Sequence, residues 1–169
     1  NNTFRDVTFA FANEIALICD RWNMDAHEII RSANLGYSRG QIPSPSPGVG
    51  GYCLTKDPHL FAHAAREAGC EPTLTLQARK VNEQMPRYVA GQVEKFFRAR
   101  NVPAQGAKVF LLGVAFKGKP ETSDLRFSPS LDVAEILRAQ GCRVYGYDPR
   151  VSWTQIAEAD IIPCHLDEG

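Results

Sequence analysis

An all-α front half followed by an α/β back half is the fold class this sequence predicts. Three observations carry it. Apolar side chains recur at helical spacing from residue 2 to about residue 100. Composition changes at Asn-Val-Pro-Ala-Gln-Gly over 101–106, which reads as a linker. Beyond it, Val109-Phe110-Leu111-Leu112-Gly113-Val114 and Arg143-Val144-Tyr145-Gly146-Tyr147 read as strands flanking one helical stretch, the β-α-β pattern of a parallel sheet. The expected domains are 1–102 and 103–169.

The first helix spans 2–23. Phe4, Val7, Phe11, Ile15, Ile18 and Trp22 recur on one face, which is expected to be buried. Cys19 lies in its apolar stretch and reads as core. A second helix follows Asp25, a plausible N-cap, and ends near Ala33. Residues 36–51 are Gly-, Pro- and Ser-rich. Pro43, Pro45 and Pro47 make that loop extended and stiff. Asp57-Pro58 ahead of Leu60, Phe61, Ala64 and Ala65 reads as a helix start, with Asp57 as N-cap and Pro58 at the first helical position. That helix stops at Gly69. From 74 to 100, Val81, Met85, Val89, Val93 and Phe96 share a face, and Pro86 is expected to kink or split the helix. In the back half, a helix over 129–139 ends at Gly141. A short helix at 153–157 and a strand at Ile161-Ile162 close the pattern.

The 169 residues carry zero net charge, with 44% apolar side chains, so the chain reads as a soluble globular protein. Nucleic-acid binding requires a basic surface, which this balance excludes. No apolar run approaches a membrane span, and no signal-peptide pattern opens the chain. Five cysteines without a CxxC pair read as reduced thiols in a cytoplasm rather than a disulfide frame or a metal site. The chain opens at Asn1 with no Met or leading strand and ends soon after an incomplete strand-helix alternation. It is expected to be a piece of a longer protein.

Gly48-Val49-Gly50-Gly51-Tyr52-Cys53-Leu54-Thr55-Lys56-Asp57 is the segment richest in chemistry. Glycine lets backbone approach a ligand closely. A thiol delivered by such a loop suits a covalent nucleophile, whereas a free cysteine elsewhere is usually a small buried hydrophobe. Lys56 and a nearby helix N-terminus are both able to favour the thiolate. Gly113 to Lys119 has the glycine-lysine spacing of a phosphate-binding P-loop, but Pro120 stands where a Ser or Thr hydroxyl is needed. Lys117, Lys119 and Arg126 past a strand end read either as a solvated loop or as a diphosphate site. Gly48-x-Gly50-Gly51 is not a dinucleotide fingerprint, and the acidic residue that should follow a second strand has no counterpart. His59 and His63 share a helix face but lack a third ligand, so no metal is expected.

Taken in order, these segments resemble the UDP-glucose/GDP-mannose dehydrogenase family. Asn2-Thr3-Phe4-Arg5-Asp6-Val7 with Asn13-Glu14 resembles the start of its central helix. The glycine-cysteine segment resembles its catalytic loop. Gly113-Val114-Ala115-Phe116-Lys117 followed by Ser123-Asp124-Leu125-Arg126-Phe127-Ser128-Pro129-Ser130 resembles the opening of its UDP-sugar-binding domain. The resemblance implies an all-α dimerisation domain, followed by a truncated doubly wound, Rossmann-like α/β domain that binds the UDP-sugar. It implies oxidation of a nucleotide sugar at C6, from alcohol to carboxylate, with NAD as cofactor. Cys53 attacks the aldehyde, the thiohemiacetal loses hydride, and water cleaves the thioester. Asp57 assists proton transfer or positions the water, and Asn2 helps hold the reacting oxygen or the water. Gly50, Gly51 and Lys117 fall on the substrate side, and Arg39 matches an arginine that reaches a neighbouring subunit's substrate. Lys56 and Arg126 match NAD contacts. The implied partner is a second copy of the chain, paired through the central helices, with the apolar faces around Phe4, Phe11 and Trp22 as the candidates. The family's catalytic lysine stands four residues before the asparagine matched by Asn2, outside these residues, so they are expected not to turn over substrate alone. Tyr52 and Lys56 lean toward the UDP-glucose branch. A noncatalytic dimerisation or nucleotide-sugar-binding module is the alternative.

Overall fold

The structure is a computed structural model in which residues 1–166 are described. In chain order the elements are α1 (Asn2–Arg21), α2 (Ala26–Asn34), α3 (Tyr52–Glu67), α4 (Thr73–Ala99), β1 (Lys108–Leu112), α5 (Pro129–Ala139), β2 (Arg143–Tyr147), α6 (Trp153–Glu158) and β3 (Ile162–Pro163). Packing divides the chain into two compact units, Asn1–Met85 and Pro86–Gly169. That division lies inside α4, ahead of the linker expected at 101–106. Its cause is the second part of α4, whose Val89, Ala90, Val93 and Phe97 join the core of the α/β unit.

α4 runs through Pro86 as one helix, rather than splitting there. A mid-helix proline costs about 3 kcal/mol or more. Packing on both sides of it offsets that cost, with Met85 buried in the first unit and Ala90 in the second. Phe97, not Phe96, faces the core; Phe96 is exposed.

The first unit is all helical apart from its loops. Asp25 caps α2 as expected, accepting from His27 N at 2.8 Å and Glu28 N at 3.2 Å. The face that α1 buries is not the one its apolar repeat suggested. Asp6, Ala10, Ala12, Asn13 and Cys19 are buried. Phe4 and Trp22 are 69% and 71% exposed, and Phe11 and Ile18 also face outward. Small and polar side chains let α1 sit close to α3 and α4, with the polar groups bonded to one another. Arg79 Nη1 donates to Asp6 Oδ1 at 2.6 Å, and Asn82 Nδ2 to the same oxygen at 2.9 Å. Asn13 Nδ2 donates to Asn82 Oδ1 at 2.9 Å.

α3 begins six residues earlier than the Asp57-Pro58 signal suggested. Gly51 is its N-cap, at φ 86°, a conformation that glycine adopts freely. Pro58 lies within the helix. Asp57 is therefore a second-turn side chain rather than a cap.

The second unit holds three parallel strands in the order β1-β2-β3. Lys108 pairs with Arg143 and Leu112 with Tyr147, and Gly113 N extends the ladder to Tyr147 O at 2.8 Å. β1 is only half-buried, and Leu112 is exposed, because β1 is an edge of the described sheet. The core gathers Val133, Ala134 and Leu137 of α5, Val144 of β2, and Val114, Val151, Ile156 and Ile161. Gly146, on central β2, has no room for a side chain. A Cβ there would stand 2.7 Å from Ile161 Cγ2 and 3.4 Å from Val114 Cγ2. Gly146→Ala is expected to destabilise the α/β unit by about 1–3 kcal/mol through overpacking, measured by urea unfolding.

Candidate active site

The buried turn of Gly48, Val49, Gly50 and Gly51 delivers the chain into α3. Cys53 is the second residue of that helix, in the turn whose N–H groups have no intrahelical acceptor. Its thiol is exposed, as is that of Cys70, whereas Cys19, Cys142 and Cys164 are buried. Asp57 follows Cys53 by one helical turn, so the two share a face.

α1 supplies the third group. Asn2 Nδ2 donates to Asp57 Oδ2 at 2.6 Å. On the other side, Lys56 Nζ stands 3.3 Å from Asp57 Oδ1 and 5.3 Å from the Tyr52 ring centre. The Asn2 amide, and secondarily Lys56, hold the Asp57 carboxyl below the usual carboxylate range. Asp57 thus stays an anion with one oxygen fixed by an amide and the other near an ammonium. Asn2, Cys53, Lys56 and Asp57 are brought together within the first unit. Gly50 and Gly51 are buried immediately ahead of the turn that carries the thiol. Arg39 is exposed in the loop between α2 and α3.

Lys117 and Arg126 belong to the second unit. Lys117 is exposed, with Nζ 5.2 Å from the Phe116 ring centre. Arg126 lies across Asp124: Nε reaches the two carboxylate oxygens at 3.0 and 3.1 Å and Nη2 reaches one at 2.7 Å. That guanidinium holds the Asp124 carboxyl below its ordinary range. Asp124 and Arg126 lie along an open groove of about 530 Å³, which Gln155 and Glu158 also line.

The loop after β1 is not a P-loop. No helix follows until Pro129. Two of the loop's backbone donors are already committed, since Val114 N and Ala115 N donate to Asp148 Oδ2 at 2.8 and 2.9 Å. Asp148 was missed in the sequence, although Tyr147-Asp148-Pro149 places a carboxylate at the end of β2. Burial pushes its pKa up, but bonds from the Ala115, Arg150, Val114 and Val151 backbone outweigh this and leave it low. In a dinucleotide-binding fold that position holds a ribose. Here the carboxylate is spent on the loop. Lys56 and Arg126 are exposed cations on separate units.

The buried Asp6, Asn13, Arg79 and Asn82 were also missed. The signal was present: polar residues at 6 and 13 bracket Ala10 on one helix face. His59 and His63 stand 3.8 Å from Glu83 and 3.6 Å from Glu67, respectively.

Comparison with known proteins bears on this arrangement directly. The model for the UDP-glucose/GDP-mannose dehydrogenase family, central domain, matches residues 1–84, and the model for that family's UDP binding domain matches residues 110–166. The chain belongs to this family. Its relatives are nucleotide-sugar dehydrogenases. UDP-N-acetyl-D-mannosamine dehydrogenase of Pyrococcus horikoshii is 40% identical over 90% of the chain and 35% of the relative. UDP-N-acetyl-D-glucosamine 6-dehydrogenase of Salmonella typhi is 32% identical over 96% of the chain and 37% of the relative. Among solved structures, a UDP-glucose dehydrogenase from Pyrobaculum islandicum aligns with TM-score 0.82 at 29% identity, covering 98% of this chain and 38% of that one. The chain thus spans little more than a third of the length of these relatives. No described helix is long and apolar enough to cross a membrane.

The Asn2–Asp57 bond gives a direct expectation. With the folded pKa depressed, the pair stabilises the first unit at pH above the ordinary carboxylate value of about 3.9. That stabilisation is lost as pH falls through the depressed folded value. Asn2→Ala is expected to raise the Asp57 midpoint toward its ordinary value, read by carboxyl NMR titration.

Proposed function

We propose that these residues carry the thiol part of the active site of an NAD-dependent UDP-sugar 6-dehydrogenase. The observation that carries the reading is an exposed thiol in the first turn of α3, one turn from a carboxylate fixed by the Asn2 amide at 2.6 Å. Cys53 Sγ adds to the C6 aldehyde carbon, giving a thiohemiacetal. NAD, when bound, takes up the hydride that leaves this carbon. The resulting thioester is opened by water, which releases the carboxylate and returns the thiolate. Asp57, kept ionised, accepts or holds the water's proton. Asn2 orients Asp57 and is placed to donate to a reacting oxygen. Splitting the oxidation through a covalent sulfur intermediate replaces one difficult step by easier ones.

Lys117, Gly50, Gly51 and Arg39 are proposed on the substrate side, with Arg39 serving a neighbouring subunit. Lys56 and Arg126 are proposed as NAD contacts. The names of the relatives favour a UDP-N-acetylhexosamine as substrate, in place of the glucose branch to which Tyr52 and Lys56 leaned. These 169 residues alone are proposed not to reduce NAD. The five free cysteines suit a reducing cytoplasm.

Labelling separates this reading from that of a noncatalytic binding module. Iodoacetamide at neutral pH is expected to modify Cys53 well ahead of Cys70, although both are exposed. Equal rates would favour the noncatalytic module.

The outward face of α1 supports a homodimer. Phe4, Phe11, Ile18 and Trp22 form an apolar row on a helix whose other face is packed. Light scattering is expected to report a dimer, and Phe11→Glu to shift it toward monomer. A monomer at high concentration in the unsubstituted chain would refute the pairing.

A further inference from the structure

One buried polar chain grips the cysteine loop at both ends. On the near side, Ser46 N donates to Asn13 Oδ1 at 2.8 Å, and Ser46 Oγ donates to Gly48 O at 2.6 Å. On the far side, Arg79 Nη1 donates to the Leu54 carbonyl at 3.4 Å, the longest bond of the set. Asn82 and Asp6 join the two ends. Asn13 Nδ2 donates to Asn82 Oδ1, Asn82 Nδ2 donates to Asp6 Oδ1, and Arg79 Nη1 donates to the same oxygen. Asn82 Nδ2 also reaches the Asp6 carbonyl at 3.0 Å.

The Leu54 carbonyl is open to Arg79 for a covalent reason. In an α-helix it accepts from the N–H four residues on. That residue is Pro58, which has no N–H. The first turn of α3, which carries Cys53, therefore lacks one of its own bonds and takes a donor from α4 instead. The guanidinium that supplies it is held by Asp6, which stands one turn after Asn2 on the same face of α1. Arg79 Nε is steadied in turn by Glu83 Oε1 at 3.3 Å. One side chain thus ties the helix bearing Asn2 to the turn bearing the thiol.

Stability alone does not account for this device. A buried ion pair can often be replaced by apolar residues with no loss. Asp6 Oδ2 is moreover buried with no partner among the described residues. Burial pushes the Asp6 pKa up, with Arg79 and Asn82 pulling against it. The arrangement is costly, and what it secures is geometry.

We infer that Arg79 is a positioning residue for the Cys53 thiol and the Asn2–Asp57 pair, acting by supplying to Leu54 the donor that Pro58 withholds. The inference rests on the thiol chemistry proposed above.

The test uses the double variant Asp6→Asn/Arg79→Met, which removes both buried charges together and keeps an acceptor for Asn82. The readouts are the Asp57 titration midpoint and the rate of Cys53 alkylation relative to Cys70 in the same molecule. The midpoint is expected to rise toward the ordinary carboxylate value and the rate ratio to fall several-fold. Adding Pro58→Ala, which returns an N–H to Leu54, is expected to restore both, and Arg79→Lys alone to give intermediate values. A folded double variant with both readouts unchanged would overturn the inference, as would a Pro58→Ala addition that restores neither. If the double variant does not fold, Arg79→Lys with and without Pro58→Ala makes the same comparison. An unsubstituted protein with an ordinary Asp57 midpoint and equal thiol rates would sink the proposed function instead, before any variant is made.

Discussion

The ion pair between Asp6 and Arg79 is the constraint on which the helical unit depends. Both groups are buried, and removing one partner of such a pair typically costs about 3–5 kcal/mol because the other is left uncompensated. Through Asn82 and Asn13 the pair reaches α1, α3, α4 and the loop ahead of the glycine turn. The surrounding core is made of small side chains, including Ala10, Ala12, Ala62 and Ala78. Close approach of the helices and a bonded polar centre replace the bulky interior usual in a helical domain.

The same arrangement explains why α1 carries an exposed apolar row. Its inner face is occupied by Asp6, Ala10 and Asn13, leaving Phe4, Phe11, Ile18 and Trp22 outside. A helix with two specialised faces serves the interior with one and leaves the other exposed. Asn2, at the start of the inner face, reaches Asp57 because the turns below it are pinned.

In the α/β unit a single carboxylate plays the organising part. Asp148 ends β2, takes two N–H groups from the segment after β1 and a third from Arg150 at 2.8 Å, and so joins the carboxyl ends of neighbouring strands. Ser128 Oγ closes the other side of that segment by donating to Val114 O at 2.7 Å. The loop that carries Lys117 is therefore shaped by backbone bonds, and its lysine is left to solvent. Two donors that seem free for a phosphate in the sequence, Val114 N and Ala115 N, are consumed by a residue more than thirty positions away.

The sequence by itself determined the element types and their order, because apolar periodicity and turn residues are local properties. It determined Asp25 as a cap and the parallel pairing of the two main strands. It also singled out Cys53 and Asp57, since a thiol behind clustered glycines is a rare local pattern. Tertiary structure decided the rest. Asp57-Pro58 satisfies the local rule for a helix start, yet α3 begins at Tyr52, because Arg79 supplies the bond that Pro58 cannot. Pro86 should interrupt α4, yet packing in each unit carries the helix through it. Whether an apolar helix face turns inward depends on what stands opposite it, and for α1 that is a polar network drawn from residues some seventy positions away. Local preference is worth a few kcal/mol at most, and burial of groups distant in sequence competes on the same scale.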